Sequence, residues 1–154
     1  MFENIIGNES IKNTLEKSIK TNQITHSYLM IGIPGIGKKL LAKEYAKIIL
    51  SSNDIINNPD FLCIEPDGNS IKIDQIRNLQ KEIQEKPIIS NKKVYIIDDA
   101  DLMTKEAQNC LLKTLEEPPE FVVIILISSN ENVILNTIKS RCMSVKFKNI
   151  DDES

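Results

Sequence analysis

Eight consecutive residues, Gly32-Ile33-Pro34-Gly35-Ile36-Gly37-Lys38-Lys39, set three glycines and two lysines at a spacing suited to holding phosphate. Glycines let backbone N–H groups turn toward an anion with no Cβ in the way, and a helix opening after the loop would place its positive end there. Lys38 supplies a compact point charge for the β and γ phosphates of a nucleotide, with ATP the implied ligand. Lys39 departs from the pattern, because it stands where a Ser or Thr hydroxyl would ligate Mg²⁺. A cation cannot replace that ligand, so nucleotide binding is expected to survive while metal-assisted hydrolysis suffers. The alternatives are a Lys39 that points to solvent while water fills the vacant coordination position, and a plain glycine turn beside two solvated lysines.

A second group lies at Val94-Tyr95-Ile96-Ile97-Asp98-Asp99, where an apolar run ends in two carboxylates. If the run is a strand of the same parallel sheet, both acids reach the carboxyl edge that carries the glycine loop. Asp98 is then the natural Mg²⁺ partner. Asp99 falls where related ATPases place a Glu to orient the attacking water, and it is one methylene shorter. Read alone, such a pair is a turn. The other candidates are blander: His26 is read as a packing or hydrogen-bonding residue, and Glu116-Glu117 as a solvated helix end. Cys63, Cys110 and Cys142 lie far apart with no C-x-x-C pair, so no zinc site or disulfide framework is expected.

Apolar runs rich in Ile, Val and Leu alternate with longer amphipathic segments, the sequence form of repeated βα units around a parallel sheet. Strands are expected at Ser27 to Ile31, Phe61 to Ile64, Val94 to Ile97, Phe121 to Leu126 and Ser144 to Phe147. Ser10 is read as the cap of a first helix in which Ile11, Leu15 and Ile19 share a face. A second helix follows from Lys38 to Leu50, and a third carries Ile73, Ile76, Leu79 and Ile83 until Pro87 ends it. A fourth runs from Thr104 to Leu115 and stops at Pro118-Pro119; a short one lies near Ile134 to Lys139. The fold class is α/β, a five-stranded parallel sheet flanked by helices.

The 154 residues are 41% hydrophobic and 27% charged, in the range of one ordinary domain. No apolar stretch approaches the ~20 residues needed to cross a bilayer, and Met1-Phe2-Glu3-Asn4 lacks the character of a secretory signal, so a cytoplasmic location is expected and no membrane partner. With a net charge of −3 and lysines scattered among acids, a large autonomous nucleic-acid footprint is not indicated.

Ala107-Gln108-Asn109-Cys110-Leu111-Leu112-Lys113-Thr114-Leu115-Glu116-Glu117-Pro118-Pro119 resembles the helix signature of bacterial clamp-loader subunits of the AAA+ class. Ser140-Arg141-Cys142 resembles their arginine-finger triplet, Ser129 falls at their sensor-1 position, and Asn4-Ile5-Ile6-Gly7-Asn8 resembles their adenine-side opening segment. The resemblance implies a phosphate-loop NTPase core covering 1–154, with the family's helical lid and collar expected to lie outside it. It implies a role in placing the sliding clamp on primer–template DNA together with gamma/tau and delta subunits of DNA polymerase III. Gamma/tau motor subunits carry a four-cysteine zinc module between the glycine loop and the acidic strand, where this sequence has only Cys63. The delta-prime type tolerates an altered phosphate loop and resembles this chain in Gly37-Lys38-Lys39 and His26-Ser27-Tyr28-Leu29. The resemblance therefore implies a stator with little ATPase activity of its own, whose Arg141 serves a neighbouring subunit. The alternative is an ATP-hydrolysing motor of gamma/tau type.

Overall fold

A computed structural model describes Phe2, Ile5 and residues 7–148. The apolar runs fold as five strands: β1 (Ser27–Ile31), β2 (Phe61–Ile64), β3 (Lys93–Ile97), β4 (Val122–Ser128) and β5 (Met143–Lys146). All pair in parallel, in the order β2-β3-β4-β1-β5. A parallel sheet must be covered on both faces, and β3 and β4 are accordingly buried at every position.

Successive side chains point to opposite faces, so β1, β2, β3 and β4 each feed two cores. Val94, Ile96, Val123 and Ile125 join Tyr28, Met30, Leu41 and Tyr45 on one side. Tyr95, Ile97, Ile124 and Leu126 join Ile76, Leu79, Leu111 and Ile138 on the other. The first face is covered by α1 (Glu9–Lys20) and α2 (Lys38–Leu50), the second by α3 (Ile73–Glu82), α4 (Lys105–Glu116) and α5 (Asn136–Lys139).

The element order expected from the sequence is the one found, with differences at the ends. Ser10 does not cap α1. The helix begins at Glu9, the preceding Asn8 has φ 54°, and the Asn8 carbonyl accepts from the N–H groups of Ile11 and Lys12. The Asn8 side chain is engaged elsewhere: its Oδ1 accepts from the Lys148 N–H at 2.8 Å, tying the start of α1 to the end of β5. Helix α3 closes at Glu82, before Pro87; the buried Lys93 ammonium takes the Glu82 carbonyl at 2.6 Å, one of those a helix end leaves orphaned, and the Glu85 carbonyl beyond it at 3.1 Å. Thr104 does cap α4, its hydroxyl accepting from the Ala107 N–H at 3.1 Å. Strand β4 runs on to Ser128, two residues past the expected end, and a short 3-10 turn over Ala100–Leu102 follows the paired acids.

Candidate phosphate-binding site

The loop from Gly32 to Gly37 joins the end of β1 to the start of α2, at the carboxyl edge of the sheet. Gly35 and Gly37 have φ of 80° and 97°, a region closed to most side chains, and a Cβ added to either would meet open space. Their freedom serves the backbone. Gly32 is glycine for a different reason, since a Cβ there would lie 2.9 Å from the Phe147 Cβ and 3.1 Å from Ile36 Cγ2. The loop thus rests on the residue that follows β5.

Beside the loop lies a cleft of about 370 Å³, lined among others by Gly35, Gly37, Lys38, Lys39, Asp98 and Ser129. Strand β1 carries the loop into it, β3 is followed by Asp98 and Asp99, and β4 ends immediately before Ser129. Lys38 folds under the loop. Its ammonium donates to the Gly32 carbonyl, to the Ile33 carbonyl at 3.2 Å and to Ser129 Oγ at 3.0 Å. Burial pushes the Lys38 pKa down, and the charges of Asp101, Asp99 and Asp98 partly offset that.

Lys39 does not float in solvent. Its ammonium sits 2.8 Å from Glu65 Oε1 and 3.1 Å from Asp98 Oδ2. The hydrogen bond it donates to Glu65 above all, and the one to Asp98, hold its pKa well above the ordinary lysine range, so it is charged at every working pH. Asp98, the carboxylate expected to meet Mg²⁺, is thus already paired with Lys39, which stands where a Ser or Thr ligand was expected. The donor set here does not fit a divalent cation held by the protein in the usual manner of phosphate-loop enzymes.

Asp99 has φ 52°, and its N–H donates to Asp98 Oδ1 at 3.0 Å. Burial raises its pKa, and the like charges of Asp98 and Asp101 raise it further. Asp98 thus joins the glycine loop in one cleft, as its place after an apolar run suggested, with Asp99 on the wall, and Ser129, singled out by the resemblance, lies there too.

Two participants were not read from the sequence. Glu65 follows β2, and Asp101 accepts the Ser129 N–H at 3.1 Å through Oδ1. Glu65 sits just beyond a strand's carboxyl end, the position that singled out Asp98; Asp101 lies in the 3-10 turn and carried no comparable signal. Of the segment Asn4 to Asn8, Asn4 and Ile6 lie outside the described residues, and Ile5 is buried in the core.

Arg141 is not in this cleft. It occupies the turn between α5 and β5, exposed, and among the described residues no carboxylate holds its guanidinium. The approach to that turn is fixed from α4: Gln108 Nε2 donates to the Val133 carbonyl at 2.9 Å, and Gln108 Oε1 accepts the Leu135 N–H at 2.8 Å.

The family model for the DNA polymerase III, delta subunit matches residues 7–151. The chain belongs to the clamp-loader subunits of DNA polymerase III. The delta' subunit of Bacillus subtilis (strain 168) is 38% identical over 157 aligned positions, spanning 90% of this chain and 46% of that protein. Subunit tau/gamma of Haemophilus influenzae is 32% identical over 166 positions, spanning 98% of this chain and 24% of that protein. A gamma subunit-related protein of Thermotoga maritima superposes with a TM-score of 0.75 at 28% identity, over 90% of this chain and 47% of that one. The RuvB Holliday junction branch migration motor of T. maritima shares the fold, with a TM-score of 0.66 at 18% identity over 93% of this chain and 46% of that one. The core of this clamp-loader subunit is therefore of the AAA+ phosphate-loop type. The chain spans less than half the length of these relatives. Alignments to both the delta' and the tau/gamma relative run longer than the 154 residues of the chain, so both kinds carry residues it lacks. No described helix is long and apolar enough to cross a membrane.

Proposed function

We propose that this clamp-loader subunit is of the delta-prime type: it stands beside a gamma/tau-type ATPase, presents Arg141 to the nucleotide bound there, and leaves hydrolysis to that neighbour. Its partners are then gamma/tau and delta subunits and, through the assembly, the sliding clamp and primer–template DNA. The observation that carries this reading is the Lys39–Asp98 ion pair at 3.1 Å. With an ammonium in the metal position, the cleft lacks the charge that a phosphoryl-transfer transition state requires. Arg141 supports the other half. A guanidinium that is exposed, far from its own phosphate loop in the fold, and held by no carboxylate among the described residues is available to stabilise charge on a phosphate bound by another subunit.

The test is ATP hydrolysis by a reassembled loader, stimulated by clamp and primed DNA, with Arg141→Ala in the full-length form of this chain. An arginine supplied in trans is worth about 10³ to 10⁵ at the site it serves, so that site's share of the turnover is expected to be lost while the loader's other sites still turn. Assembly is followed by co-elution. An assembled loader that keeps full stimulated turnover with Arg141→Ala overturns the assignment.

A further inference from the structure

An ammonium has three N–H donors, and Lys39 directs two of its contacts to carboxylates of two different strands, Glu65 after β2 and Asp98 after β3. The remaining donor belongs to a charge that cannot drift away, in the first turn of α2 and in the same cleft as the glycine loop. A wild lysine on a surface helix has no such restraint. This is the arrangement of a bound cation with its ligands, except that the cation is covalently part of the chain.

From this geometry we infer that Lys39 takes the place of the divalent metal, so that the cleft binds a nucleoside triphosphate through Lys38, Lys39 and the loop amides without needing Mg²⁺. The loop N–H groups and the positive end of α2 meet the phosphates as in any site of this kind. Lys39 brings one positive charge where the metal would bring two, and it cannot be exchanged, stripped by a chelator or shared with the attacking water. The nucleotide therefore acts as a ligand that orders the loop, not as a substrate. Free Mg²⁺ competes with Lys39 for the triphosphate, and so it is expected to leave the affinity unchanged or to weaken it.

The inference shares with the proposed function only the position of Lys39; Arg141 plays no part in it, so either can fail while the other stands. It is tested by calorimetric titration of the chain with ATP in excess chelator and again in excess Mg²⁺. Wild type is expected to bind in chelator, with an affinity that Mg²⁺ does not improve beyond about two-fold. Lys39→Ala should weaken binding in chelator by about ten-fold, the usual loss for one charge-assisted hydrogen bond. Lys39→Ser returns the hydroxyl and frees Asp98, and its binding should become stronger with Mg²⁺ than without. Far-ultraviolet circular dichroism and a thermal melt establish that each variant is folded. ATP binding by wild type that tightens ten-fold or more with Mg²⁺, or no binding by wild type in either condition, overturns the inference.

Discussion

At the scale of single residues, the loop glycines are not interchangeable. Gly35 and Gly37 are there for backbone angles, Gly32 for space. The Gly32 contact is with the Phe147 Cβ, an atom next to the backbone, so no side-chain rotation relieves it. Gly32→Ala must displace the segment after β5 and should lower stability by about 1 to 3 kcal/mol, the usual range for overpacking, as read by urea denaturation; a change below half a kilocalorie would show that the segment yields freely. The pairing of Lys38 with Asp98 in one cleft was legible because a glycine loop and an acidic pair each follow an apolar run, and parallel strands bring such ends to one edge. The fate of Lys39 was not legible. Whether it faced solvent or Asp98 depended on Glu65, a residue 26 positions away whose strand had first to be placed beside β3.

At the scale of elements, the strands and helices were readable from apolar periodicity, and the errors fall at their ends. Ser10 has the chemistry of a cap, yet the chain turns at Asn8 in the left-handed region, because Asn8 is held by Lys148 at the far end of the sequence. The largest unread feature is Asp60. It is almost fully buried and accepts the N–H groups of Ile88 at 2.6 Å, Ile89 at 2.8 Å and Ser90 at 2.7 Å, fixing the connection from α3 to β3. Burial works against its ionisation, but those three amides and the Lys93 charge outweigh it and hold its pKa below the ordinary carboxylate value. A depressed folded pKa gives stability that is present above the unfolded pKa and lost as pH falls through the folded one. Asp60→Ala strands three amides and should cost about 3 kcal/mol at neutral pH by urea denaturation. The difference between wild type and the variant should shrink as the pH is lowered below about 4, the unfolded carboxylate value; a pH-independent difference would sink this account of Asp60. From sequence, Asn57-Asn58-Pro59-Asp60 is only a polar loop, since nothing local says that its last carboxylate will be buried against a segment 28 residues on.

At the scale of the whole molecule, the glycine-loop cleft and Arg141 sit apart on the same core. The glycine loop, Lys38 and Asp98 line the cleft at the ends of β1 and β3, while Arg141 stands on the turn before β5, after a helix whose approach Gln108 of α4 holds. A core that hydrolysed its own nucleotide would need a metal where Lys39 stands; a core that serves a neighbour needs only the exposed guanidinium. The helix signature that revealed the family was legible because it is long, and its Gln108 holds the segment that leads into α5. The choice between delta-prime and gamma/tau was less legible, because relatives of both kinds match nearly the whole chain.

The most direct measurement is ATP turnover by a loader assembled from the full-length form of this chain and neighbours whose own phosphate-loop lysines have been replaced, leaving this cleft the only intact one. With saturating ATP, Mg²⁺, clamp and primed DNA, the account predicts no hydrolysis above that of a loader in which Lys38 is also replaced. Lys38-dependent turnover at about 1 s⁻¹, an ordinary rate for an enzyme, would contradict it and make this chain a motor.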